Sequence, residues 1–288
     1  MNKIWLEIKG RFQKGDILTK LIYVNGSVFL LSILFGIIWG LITGLSFEDS
    51  SNTFSYWLAL PTKNIMGFIF KPYTIITHMF LHVDISHVFF NMLLLYFMGK
   101  MFLNYFSSKQ LFGLYLLGGI WGAILLLLIT NLSPMFAHPS MALGASSAVM
   151  AITISVVAFR PNTTVSLFGI FPVKLIYIGA FFVLSDLIYF YDSNTGGHLA
   201  HLAGAGVGYW YTASFKQGKD VTAGINKLIS RFGGMFKPKS KLKVVYSQDK
   251  VRKMSDEEYN INQKVSQAEV DLILDKISAS GYSSLTKR

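Results

Sequence analysis

The chain has no cysteine and few charges: 14% of its 288 residues are Asp, Glu, Lys or Arg. The first absence excludes a disulfide framework, a thiolate nucleophile and a Cys-ligated metal. The second argues against a water-soluble globule, which usually carries about 25% charged residues. The shortage is also concentrated. No charged side chain lies between Lys20 and Glu48, between Lys109 and Arg160, or between Asp192 and Lys216. Roughly 20 apolar residues cross a bilayer, so the chain reads as a polytopic, all-α membrane protein. Mixed polar residues precede the first apolar run, that run is too long for a signal core, and no small-x-small site closes it, so no secretory signal is expected.

Six spans are predicted: Leu21–Gly44, Ser86–Phe106, Leu111–Thr130, Ser146–Phe159, Leu175–Phe190 and Gly196–Phe215. Residues 1–20 form a short N-terminal segment, 21–215 the membrane domain, and 216–288 a basic linker and helical tail. Lys and Arg set the orientation. With the N-terminus inside, 24 of the 26 basic residues fall on the inner side, and only Lys63 and Lys71 lie outside. Both termini are therefore expected in the cytoplasm. The net charge of +11 reads as a topology signal, and no nucleic-acid partner is expected.

The fourth span is short. At about 1.5 Å per residue it covers only ~21 Å of a hydrocarbon core about 30 Å thick. Arg160-Pro161 ends it on the inner side, so its N-terminus must lie part-way down, fed by an irregular segment from Asn131 to Ser140. Backbone of that kind is tolerated at membrane depth only inside protein or along a water-filled cavity. The sequence therefore implies a sunken aqueous pocket with Ser146 at its floor.

Polar groups inside spans are costly and are functional candidates. His87 and Asn91 lie four residues apart and share one face of the second span. Gly144-Ala-Ser146 opens the fourth. In the sixth, His201, Gly204 and Gly208 share a stripe whose small residues admit a close neighbour. Taken singly, such Ser and His residues often only hydrogen-bond across a bundle, and Gly204-x-x-x-Gly208 is a packing motif. His198-x-x-His201 offers zinc two ligands where a site needs at least a third, so no metal or cofactor is expected. Asp186 is the single Asp within a predicted span and reads as a structural hydrogen-bond partner.

One Ser at a glycine-bounded helix start and one His on a small-residue face suit a Ser–His hydrolase. A neutral imidazole within reach activates the hydroxyl. The unpaired N–H groups of a helix's first turn face developing negative charge. The Ser146 amide, with His87 and Asn91, then forms an oxyanion hole. Gly144 leaves room for a substrate backbone. Ser147 and Ser140 are rival nucleophiles, and Ser146 is preferred because it sits two residues after Gly144 at the helix start.

These motifs, His82-x4-His87-x3-Asn91, Gly144-Ala-Ser146 and Ala200-His201-x-x-Gly204, stand in the order of the rhomboid intramembrane serine proteases. The chain resembles that family from roughly Tyr73 to Trp210, in its six-span bacterial form. The resemblance implies a Ser146–His201 dyad without a third acidic residue, and His82 structuring the neighbouring loop. It further implies substrates that are single-span membrane proteins cut in or near their span, and residence in a bacterial inner membrane. Three positions depart from the family pattern. Pro72-Tyr73-Thr74 replaces a common Trp-Arg pair, Ser147 a usual Gly, and Met150 an aromatic that packs on the catalytic ring, a contact its sulfur can also make.

Two other classes compete. A silent relative that binds membrane proteins without cutting them would have lost the Ser or the His, and both are here. A proton-conducting transporter using His87, His198 and His201 would carry charges in several spans or an inverted repeat. The first loop, residues 45–81, is rich in aromatics and is expected to form a partly embedded hairpin. The tail's basic run, Lys237 to Lys243, suits anionic lipid. Ser255-Asp-Glu-Glu258 and Ser266-Gln-Ala-Glu269 read as two capping boxes. After the second comes an apolar stripe, Val270, Ile273, Leu274 and Ile277, stopped by Gly281, a face for docking an unknown protein or for pairing with itself. The stretch Leu274 to Thr286 resembles a tail on some bacterial rhomboids.

Overall fold

A computed structural model of the chain describes residues 15–63, 65–133, 141–167, 169–191, 194–235 and 255–280. These residues are mostly helical and divide between two compact units, 1–235 and 236–288.

In the first unit α1 spans Ile17–Thr43. Asp16 caps it by accepting from the Thr19 amide at 2.8 Å, and Gly44, at φ 73°, closes it with its N–H on the Gly40 carbonyl. The first loop then folds as short helices, α2 Phe47–Leu58, α3 Ile65–Phe70 and α4 Thr74–Thr77, with a 3₁₀ turn at His78–Phe80. Its two-residue strand β1, Leu60–Pro61, pairs antiparallel with β2, Met141–Ala142, just before Ser146. Where the family's Trp-Arg pair is missing, other contacts anchor this loop. The Tyr73 hydroxyl donates to the Trp57 carbonyl at 2.9 Å and Thr77 Oγ1 to Leu58 O at 2.7 Å. The Lys71 ammonium lies 3.5 Å from the Tyr56 ring centre, a cation–π contact.

Helices α5, Ile85–Leu103, and α6, Ser108–Leu132, come next in the chain. With α1 they are the three helices among the described residues long and apolar enough to cross a membrane. A capping box starts α6, Ser107 and Gln110 satisfying each other's amides. Asn131 and Leu132, expected in an irregular segment, still belong to α6, and the remainder of that segment, 134–140 with its rival Ser140, lies outside the described residues.

Helix α7, Ser146–Phe159, has the predicted bounds and stands in the centre, with every residue from Ser147 to Val157 buried. A β-hairpin, β3 Thr164–Leu167 and β4 Phe171–Lys174, leads to α8, Leu175–Ile188, and then α9, Thr195–Lys216. Gly204 and Gly208 of α9 lie directly on the α7 backbone: a Cβ at Gly204 would strike the Ser147 carbonyl, and one at Gly208 the Ala151 carbonyl. Phe102, Phe106, Phe159, Tyr211 and Phe215 fill the far end of the bundle with ring contacts. An added helix, α10 at Ala223–Met235, packs beside Gly113 of α6 through Asn226.

The second unit is described by α11, Asp256–Ser280. The expected start at Ser266 is corrected: the helix runs through that position without a break. The basic run at 237–243 and the stop at Gly281 lie outside the described residues.

Candidate active site

Gly144 is the pivot of the site. Its φ of 132° is one that L side chains rarely adopt, and the space a Cβ would need is already taken. Such an atom would come within 3.0 Å of His87 Cε1 and Nε2 and 3.7 Å of Ser146 Oγ. The His87 ring and the Ser146 hydroxyl therefore border the same point over the glycine. The Gly144 amide donates to the His78 carbonyl at 2.9 Å, fixing this turn to the first loop.

Asp84 caps α5 by accepting from the His87 amide at 2.8 Å, which sets His87 in the helix's first turn. The Val83 amide points to His87 Nδ1 at 3.4 Å. With Nδ1 accepting, Nε2 carries the hydrogen of the neutral ring, and Nε2 is the atom beside Gly144. Asn91 sits one turn later, nearly buried, and donates one amide hydrogen to His87 O at 2.8 Å. His82 is buried edge-on against His87, the ring centres 4.9 Å apart. Burial, and then the His87 charge, push its pKa down to about 4. Sequence reasoning passed over His78, which is also buried and lowered to about 4 by that burial. Its Nδ1 pairs with Thr74 O at 2.8 Å. No helical spacing marks it, because the 3₁₀ turn ends at Phe80 and Leu81 is extended.

Ser146 is the first residue of α7 and is half-buried. No side chain caps that helix start, so first-turn N–H groups are left for another acceptor. Ser147 is committed elsewhere. Its buried hydroxyl lies 2.7 Å from the Ala200 carbonyl and 2.9 Å from the Gly118 carbonyl, bridging α9 and α6. Ser147 thus touches α9 at Ala200 and Gly204, on either side of His201, and the seam brings Ser146 and His201 to facing helices. Met150 packs with Ile154, Ala205, Phe182 and Val183.

His201 has a partner that neither the spacing nor the resemblance supplied. Its Nδ1 lies 2.9 Å from Asp186 Oδ1, and His198 Nδ1 lies 2.8 Å from the same oxygen. These three residues are also the ones among the described residues close enough to share a metal, their ligand atoms all within 4.8 Å. The third group that His198-x-x-His201 lacked in sequence, for a metal or for a hydrogen-bonded cluster, is Asp186, from the preceding helix.

The Rhomboid domain family model matches residues 69–217. The chain belongs to the rhomboid family. The three motifs of this rhomboid protein all lie inside the matched range, and its apolar helices make it a membrane protein. Residues 254–288 match a separate family of unknown function, DUF6576. No curated protein matches the chain.

Proposed function

We propose that this rhomboid protein is an intramembrane serine endopeptidase acting through Ser146 and His201. The observation that carries the reading is the shared space over Gly144, bordered by the Ser146 hydroxyl and His87 Nε2. A carbonyl seated there meets a nucleophile on one side and a hydrogen-bond donor on the other.

In the proposed cycle Ser146 Oγ attacks the peptide carbonyl carbon while His201 Nε2 takes its proton. The new oxyanion accepts from the Ser146 amide, His87 Nε2–H and the second amide hydrogen of Asn91. The C–N bond then breaks, His201 returns the proton to the leaving amine, and water releases the acyl group by the reverse sequence. The scheme uses no cofactor or metal. Losing one oxyanion donor, as in His87→Ala, slows such a reaction by about 10²–10³-fold.

The substrates are single-span membrane proteins cut where their helix unwinds. The topology is six-span, residues 21–215, with both termini cytoplasmic in a bacterial inner membrane. The basic run and helical tail beyond α10, residues 236–288, meet anionic lipid and a protein partner. The test is a fluorophosphonate probe on the purified protein in detergent, with mass mapping of the adduct. An adduct on Ser146 that is absent from His201→Ala is expected. No adduct on folded protein, beside an active rhomboid that labels, would sink the reading in favour of a silent binder.

A further inference from the structure

The hydrogen bonds between α8 and α9 reach beyond a Ser–His dyad. Given the catalytic roles proposed for Ser146 and His201, on which the assignment rests, we infer that Asp186 is a positioning residue for His201. It holds the ring in the tautomer and orientation that turn a bare Nε2 toward Ser146. A carboxylate oxygen only accepts, so an imidazole nitrogen 2.9 Å away must be the one bearing hydrogen. A neutral ring protonated at Nδ1 has an unprotonated Nε2, which is the form a general base needs.

The carboxylate is itself held. Its Oδ1 accepts from His198 as well as from His201, and Tyr189 stacks on the His198 ring at 6.4 Å between centres and 27° between planes. Two donors on one oxygen keep the group from rotating away. Asp186 is also 95% shielded from solvent, where a negative charge is little screened. That charge steadies His201 during the interval in which the ring carries the serine's proton. The proton stays on His201: Asp186 orients and compensates, and takes no proton itself. The same three groups lie close enough together to share a metal ion. Lengths of 2.8 and 2.9 Å are nonetheless those of ordinary N–H···O bonds, and two such bonds account for the cluster without an ion.

The experiment compares fluorophosphonate inactivation of the full-length wild-type chain and Asp186→Asn in detergent, separating the maximal rate constant from the probe's half-saturating concentration. Asn keeps the size and removes the charge. The rate constant is expected to fall on the order of 10²-fold, with half-saturation and the thermal midpoint unchanged, because Asp186 acts through His201 and not on the ligand. A wild type that labels in a His201-dependent way, beside a folded Asp186→Asn that labels equally fast, overturns the positioning role and leaves the protease reading standing. A wild type that does not label overturns both. Stoichiometric metal in the purified protein, whose removal by a chelator changes labelling, overturns the proposal in favour of a metal site. Should Asp186→Asn fail to fold, ¹⁵N-histidine spectra of the wild type decide instead, with His201 assigned by its loss in His201→Ala. Hydrogen on Nδ1 supports the role, and hydrogen on Nε2 overturns it.

Discussion

The Ser147 hydroxyl lies 2.7 Å from the carbonyl of Ala200, the residue before His201. The side chain next to Ser146, the proposed nucleophile, is thus the fastener between the two helices that carry the proposed reacting pair. A glycine, the family's usual residue there, would make no such bond.

Ser147→Ala is therefore expected to cost about 0.5–1.5 kcal/mol of stability, since both carbonyls it serves, at Gly118 and Ala200, lose one partner. Labelling of Ser146 should slow but persist. Thermal unfolding in detergent alongside probe kinetics checks this. Complete loss of labelling in folded Ser147→Ala would mean that Ser147 and not Ser146 carries the adduct.

Gly204→Val should be far more damaging. A Cβ there would overlap the Ser147 carbonyl, which is helix backbone and cannot swing aside. Overpacking of this kind costs about 1–3 kcal/mol, and it forces α9 off α7, carrying His201 with it. Gly206→Val on the same helix is the control, because a Cβ at Gly206 meets nothing within 4 Å. Equal losses of activity in the two variants would refute the seam as the reason.

Acid should destabilise the first loop. His78 and His82 have pKa values lowered from 6.5 to about 4, chiefly by burial. Unfolded imidazoles take up protons below about pH 6.5 while the folded ones stay neutral until about pH 4. Stability is thus fully present above pH 6.5 and falls as pH drops toward 4, by up to about 1.4 kcal/mol per pH unit for each ring. Thermal midpoints measured across that window should decline with acidity, and His78→Gln should flatten the slope. A midpoint independent of pH between 4 and 6.5 in the wild-type protein would contradict the burial account.

Much of the bundle was legible because local chemistry writes it. Arg160-Pro161 and the Gly144-Ala145-Ser146 start delimit α7 at Ser146–Phe159 with no help from tertiary structure. Ser266 misled for the converse reason: a capping box marks a start only if something breaks the helix before it, and Gln263-Lys264-Val265 offers no break. The hairpin at 164–174 went unseen because four-residue strands about a glycine carry little periodicity. Helix α10 was hidden in a stretch whose charges read as linker. Asp186 was legible as a hydrogen-bond partner and is one, but its bond to His201 was not legible, since it joins helices at a separation that no helical repeat encodes. His198 and His201 were visible as a pair, but their common acceptor was not.

The short ladder between Leu60–Pro61 and Met141–Ala142 has a mechanical consequence. Together with the bond from the Gly144 amide to His78, it clamps the turn preceding Ser146 at two points to the first loop. Loop and turn form one lever: any force that shifts Leu60 drags Ala142, and the Gly144 pivot two residues farther on must turn with it. The aromatic loop outside the bundle is in this sense a handle on the serine.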